Sequence, residues 1–165
     1  MSEKIVIDLT ENMANVGMEL PFAGEYSLPS TLMPYPNATL NKVVVNFGVT
    51  FDNPNVIVSG VIICHISGNC DRCLSRVDTQ IELPFEQTFY KDEADDEDRY
   101  IYSNSLLDAT QAVCDEIVLS LPMSLLCKED CKGLCPKCGC DLNERQCGCD
   151  TTRENPFSIL KNLKF

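Results

Sequence analysis

The amino-acid sequence predicts an α+β fold: an antiparallel β-meander, one main helix, a short C-terminal helix and a cysteine-rich segment. Three observations carry that expectation. Apolar residues alternate with period two over residues 43–89. One run of helical period stops at Pro122. Seven of the twenty-three residues from Cys127 to Cys149 are cysteine. A chain of 165 residues is long enough to bury a core without cross-links.

The elements follow in order. Residues 4–9, "KIVIDL", predict a first strand. Residues 10–39 predict irregular chain, because Pro21, Pro29, Pro34 and Pro36 interrupt regular structure. Val43, Val45, Phe47, Val49 and Phe51 then alternate with Val44, Asn46, Gly48 and Thr50, which makes a strand with one apolar face. "DNPN" (residues 52–55) is turn chemistry, and "VIVSGVIICHI" from Val56 is the next strand. In "VDTQIELPF", Val77, Thr79, Ile81, Leu83 and Phe85 share a face, and Pro84 puts that strand at an edge or ends it. Between these last two strands "GNCDRCL" sets a Cys-x-x-Cys, Cys70 to Cys73, at the hairpin tip. "DEADDED" (residues 92–98) reads as a solvated loop. It lacks the central Gly and final Glu of an EF-hand. Asp108 then caps a helix on which Val113, Cys114, Ile117, Val118 and Leu121 recur at helical spacing. At the C-terminus Asn155 caps, Pro156 takes the first helical position, and Phe157, Leu160 and Leu163 form an amphipathic side expected to dock on the sheet. The expected organisation is a sheet-plus-helix unit over residues 1–126, with the cysteine-rich segment and terminal helix of residues 127–165 packed on it.

The formal charge of −12 is unevenly spread. Residues 1–126 carry 6 Lys/Arg against 19 Asp/Glu, and residues 127–165 carry 7 against 6. Affinity for nucleic acid rests largely on phosphate neutralisation by Lys and Arg, so an acidic chain fits a protein partner better than an RNA coat. Any direct RNA contact is expected at Lys128, Lys132, Lys137 and Arg145. The opening residues lack a secretory pattern and no stretch is apolar enough to span a bilayer, so the expected location is the cytoplasm, with no membrane partner.

In a reducing compartment a cysteine cluster points to a metal site rather than to disulfides. "CPKCG" (Cys135 to Gly139) has the form of a metal knuckle, whose turn aims backbone N–H groups at the first sulfur. All-thiolate tetrahedral sites hold zinc or iron. Without another electron-transfer motif zinc is the expected ion, structural, one or two per chain. The favoured sorting joins Cys70 and Cys73 to Cys127 and Cys131, and Cys135 and Cys138 to Cys147 and Cys149. The rival is one site drawn from residues 127–149 alone. Cys64 and Cys114 read as small core residues, and Cys140 is left over. Catalysis is not expected: His65 is the only histidine and falls on an alternating strand. There is no Gly-rich phosphate loop and no His/Glu zinc-hydrolase motif.

Three stretches together resemble a known family. They are "CDRCL" after a strand pair, "CDEIVLSLPMSLLCKEDCKGLCPKCGCDLNERQCGC", and the terminal "NPFSILKNLK". The chain resembles the YceD family, the large ribosomal RNA subunit accumulation proteins of bacteria and plastids, over most of residues 40–165. Cys140 departs from the family's usual non-cysteine residue. The resemblance implies a non-enzymatic role in large-subunit ribosomal RNA accumulation and large-subunit assembly. Together with the charge, it implies a ribosomal protein or rRNA-processing factor as partner, and the large-subunit precursor as the assembly. A second class of function, a redox-switched zinc thiol chaperone, is told apart by zinc release and holdase activity under mild oxidant.

Overall fold

The computed structural model describes residues 3–29, 38–91 and 99–149. The acidic run at 92–98 and the expected terminal helix lie outside the described residues. In chain order the elements are β1 (Val6–Asp8), α1 (Thr10–Ala14), β2 (Glu19–Tyr26), β3 (Ala38–Asp52), β4 (Asn55–Asn69), β5 (Arg76–Lys91), β6 (Ile101–Tyr102), β7 (Leu106–Asp108) and α2 (Thr110–Ser120).

Mostly β, with two helices, the described residues form a five-stranded sheet in the order β2-β3-β4-β5-β6 and a two-stranded pair of β1 with β7. β2 to β5 pair antiparallel, each with its sequence neighbour, whereas β6 joins β5 in parallel. Strict alternation sorts β3, β4 and β5 into two faces. Val43, Val45, Phe47, Val49, Ile62, Cys64, Leu83 and Phe85 turn inward, are buried, and share one core with Leu107, Val113 and Ile117. Gly60 lies in register with Phe47 and Phe85, and these two rings stack with centroids 4.8 Å apart. A Cβ on Gly60 would stand 2.1 Å from the Asn46 carbonyl oxygen, so only glycine fits there.

Residues 10–39 are more ordered than the sequence expectation allowed. They contain α1 and β2, with Pro21 inside β2 opposite Gly48. β2 has a hydrogen-bonded neighbour on one side only among the described residues, so Pro21 can lack an N–H without breaking a ladder. The alternation of Leu20, Phe22 and Tyr26, each partly buried, is the sequence signal for this strand. Pro84 sits within β5, opposite Val61, where β5 has no second neighbour among the described residues because β6 pairs only at Tyr90 and Lys91.

The main helix begins after Ala109, its N-cap, not at Asp108. Asp108 acts one residue earlier: its Oδ1 accepts the Thr110 N–H at 3.0 Å, and its Oδ2 lies 3.3 Å from Lys4 Nζ. α2 buries Ala112, Val113, Cys114 and Ile117. Val118 was expected on that side but is 47% exposed, since one residue of helix turns it about 100° from Ile117. The Tyr100 hydroxyl donates to Asp115 Oδ2 at 2.8 Å, tying α2 to the chain beside β6. No helix among the described residues is long and apolar enough to cross a membrane.

Candidate metal centres

The β4–β5 hairpin supplies the first two thiols. At its tip the Leu74 N–H donates to the Cys70 carbonyl at 2.9 Å and the Cys70 N–H donates to the Ser75 carbonyl at 2.8 Å. The knuckle at Cys135 closes in the same way, with the Gly139 N–H donating to the Cys135 carbonyl at 2.9 Å. The closing residue is left-handed in both turns, Leu74 at φ 62° and Gly139 at φ 71°. Glycine adopts this conformation freely, while leucine carries strain of about 1–2 kcal/mol.

The chain after α2 wraps the hairpin tip. The Asp71 N–H donates to the Leu125 carbonyl at 2.9 Å, and the Leu125 N–H donates back to Asp71 Oδ2 at 2.7 Å. The Arg72 guanidinium donates to the Cys131 carbonyl at 3.0 Å, and the Leu134 N–H donates to the Arg72 carbonyl at 3.1 Å. These bonds bring Cys127 and Cys131 beside Cys70 and Cys73. Cys70 and Cys131 sulfurs are 3.8 Å apart, and Cys73 and Cys127 sulfurs 3.6 Å. All four sulfurs lie within 4.8 Å of one another. A tetrahedral zinc with Zn–S bonds of about 2.3 Å holds its sulfurs about 3.8 Å apart, so this set fits the ion. A second set, Cys135, Cys138, Cys147 and Cys149, meets the same 4.8 Å limit. All eleven cysteines are free thiols.

The two sets are stitched together. The Leu142 N–H donates to the Gly133 carbonyl at 2.9 Å, while the Cys135 N–H donates to the Cys140 carbonyl at 2.9 Å within the second segment. Asn143 reaches from the second segment into the first set. Its Oδ1 accepts the Lys132 N–H at 2.9 Å, and its Nδ2 donates to the Cys131 sulfur at 3.4 Å.

Electrostatics within each set favour a cation. Burial works to raise Cys70, but the N–H groups of Cys73, Cys127 and Arg72 outweigh it and bring this thiol down to about 6. Burial likewise opposes ionisation of Cys131, and the Asn143 amide and Gly133 N–H overcome it. Cys135 falls to about 6 through the N–H groups of Cys138 and Lys137, and Cys138 is lowered by the Cys140 N–H and thiol. The remaining thiols move the other way. Cys127 rises to about 12 through burial and donation to Cys73 and Cys131. Cys149 rises to about 12 chiefly by donating to Cys138, with burial second. Crowded thiolates cannot all ionise alone, and a bound cation reverses that penalty.

The other expected positions are equally definite. Cys64 is fully buried in β4, and burial pushes its thiol to about 11. Cys114 is buried on α2. Cys140 is a fifth thiol against the second set, raised to about 11 first by donation to Cys138 and then by burial. His65 is half-buried in β4 opposite Lys42 and Gln80 and joins neither set. Lys128, Lys132, Lys137 and Arg145 are exposed around the cysteines. Sequence reasoning missed Asn143, Asp71 and Arg72. Their one signal was position, inside "DLNE" and inside the first Cys-x-x-Cys, and spacing does not reveal a hydrogen-bond partner. An ion held by four thiolates has no open position for a substrate.

No solved structure matches the chain. An uncharacterized protein of Mycobacterium tuberculosis is 36% identical over 95 residues, covering 53% of this chain and 45% of its own. An uncharacterized protein of Mycobacterium leprae is 24% identical over 132 residues, 70% of this chain and 60% of its own. A chloroplastic protein of Arabidopsis thaliana, called large ribosomal RNA subunit accumulation protein YCED homolog 1, is 25% identical over 163 residues, 79% of this chain and 50% of its own. The chain thus spans about half the length of the curated relatives it matches. The family model described as large ribosomal RNA subunit accumulation protein YceD matches residues 58–164, from β4 through both cysteine sets, and the chain belongs to that family.

Proposed function

We propose that this protein is a non-enzymatic cytoplasmic factor for accumulation of large-subunit ribosomal RNA and assembly of the large ribosomal subunit. The family match over residues 58–164 carries that proposal. The protein works through protein partners, a basic ribosomal protein or an rRNA-processing factor on the large-subunit precursor, because its charge of −12 repels phosphate. Loss of the protein should lower large-subunit ribosomal RNA relative to small-subunit RNA. A normal ratio in a deletion strain overturns the proposal.

In this proposal the metal is a scaffold. One zinc is held by Cys70, Cys73, Cys127 and Cys131, and another by Cys135, Cys138, Cys147 and Cys149. The first staples residues 127–165 to the sheet unit of residues 1–126, so that the two act as one body. Zinc supplies four strong bonds from each set of thiolates, and the N–H groups around Cys70 and Cys135 hold those sulfurs ionised. Elemental analysis should give two zinc ions per chain, with Cys70→Ser and Cys138→Ser each removing one at least. Iron in place of zinc, or an unchanged zinc content in Cys70→Ser, contradicts this assignment.

A further inference from the structure

One face of the five-stranded sheet carries the core; on the opposite face Val44 and Ile63 are half-buried and Val61 is exposed. The chemistry of that face follows from the register. Glu25, Val44, Ile63 and Glu82 stand side by side across β2, β3, β4 and β5. The row is apolar at its centre and acidic at both ends. Strand spacing puts the two end positions about 14 Å apart. The next row brings Val61 beside Pro84, with Val61 38% exposed. The row after that ends on Glu86, opposite Ser59.

The carboxylates are balanced only in part: Arg99, set over the Tyr90 ring, lines a shallow cleft with Glu86. Lys42 pairs with Glu25 at 2.7 Å. Glu82 and Glu86 are exposed and have no cationic partner within ion-pair distance among the described residues. A phosphate backbone is repelled by such a face, and a neutral apolar segment would leave these carboxylates desolvated at its margin. A cationic segment that also carries apolar side chains satisfies both features.

We propose that this sheet face docks a basic protein segment, one that lays apolar side chains over Val61 and Ile63 and sets lysine or arginine against Glu82 and Glu86. The proposal rests on the functional reading above and assigns the partner a surface distinct from the cysteine sets.

The test places a photo-crosslinking residue at Val61 in the full chain. The probe is RNA-free protein extracted from purified large ribosomal subunits. The expected product is a crosslink to a basic protein. Glu82→Lys with Glu86→Lys should lower its yield about tenfold or more, while Glu11→Lys with Glu116→Lys, the same change in net charge elsewhere, should leave it within about twofold. Zinc content and thermal midpoint verify that each variant folds. If the reversal unfolds the sheet, Glu82→Gln with Glu86→Gln keeps the test, with an intermediate loss expected. Equal losses in both pairs would show that only net charge matters and overturn the proposal. So would a crosslink from Val61 to residues 155–165 of the same chain, or no crosslink at all. A strain carrying Glu82→Lys and Glu86→Lys separates this inference from its premise. A normal RNA ratio there, with a lowered ratio in the deletion strain, sinks the docking face and leaves the functional reading standing. A normal ratio in the deletion strain sinks the functional reading itself.

Discussion

Gly60 is the residue where β4 has least freedom. Its neighbours across the sheet, Phe47 and Phe85, stack on each other, and the Asn46 carbonyl oxygen stands 2.1 Å and the Phe47 Cα 2.9 Å from the position of a Cβ. Gly60→Ala should therefore destabilise the protein by at least about 2 kcal/mol, read as a lower urea midpoint with an unchanged slope. Asn143 is the corresponding residue at the cysteine sets. Its amide donates to the Cys131 sulfur while its carbonyl oxygen holds the Lys132 N–H. If Cys131 ligates zinc as proposed, a group that hydrogen-bonds its sulfur typically controls metal affinity by about 10- to 100-fold. Asn143→Ala should weaken one zinc by about tenfold in a competition titration with a chromophoric chelator. Asn143→Gln should not restore it, because the longer side chain misplaces the amide. Unchanged affinity for both ions would remove Asn143 from the metal environment.

At the scale of elements, one carboxylate joins the bonds that hold the junction of β1, β7 and α2. The Ala109 N–H donates to the Ile5 carbonyl at 2.8 Å, the Ile5 N–H donates to Thr110 Oγ1 at 2.8 Å, and Asp108 binds Thr110 and Lys4. Partial burial works to raise the Asp108 carboxyl, but the Thr110 hydroxyl and N–H and the Lys4 ammonium outweigh it and hold it below its ordinary range. A carboxyl depressed in the folded state stabilises above its unfolded value of about 3.9. That contribution is lost as pH falls through the lower folded value. The Lys4 pair is largely solvent-exposed and adds little by itself. Asp108→Asn should thus lower the thermal midpoint by a few degrees at neutral pH. The gap from wild type should close below about pH 4. A gap that stays constant through that window would assign the effect to geometry rather than charge.

For the whole molecule, the cysteine segment and the sheet differ in what sustains them. The sheet has its own apolar core, whereas residues 127–149 contain no helix or strand and are held by backbone bonds around the two sulfur sets. Small cysteine segments draw much of their folding energy from metal. Stripping metal with a strong chelator under reducing conditions should raise hydrogen exchange over residues 127–149 by orders of magnitude. Exchange in β3 and β4 should stay slow. If β3 and β4 lose protection to the same extent, metal and sheet form one cooperative unit.

The inner face of the sheet was legible along the chain, because period-two alternation in Val43 to Phe51 can bury only one set of side chains. The sequence by itself determined the position of Cys70 and Cys73, since a hairpin tip is a local feature. It also determined the end of α2, because Pro122 cannot continue a helix. Family membership was legible in the combination of Cys-x-x-Cys, "GLCPKCG" and "DLNE". That Pro21 is tolerated inside a strand depended on the folded sheet, since the cost of a missing N–H depends on having a neighbour on that side. Only the tertiary structure brought Cys127 and Cys131 to within 4.8 Å of the hairpin thiols, through the two-way bonds between Asp71 and Leu125. The apolar and acidic rows on the outer face are likewise invisible along the chain. Glu25, Val44, Ile63 and Glu82 lie far apart in sequence, and strand register alone makes them neighbours.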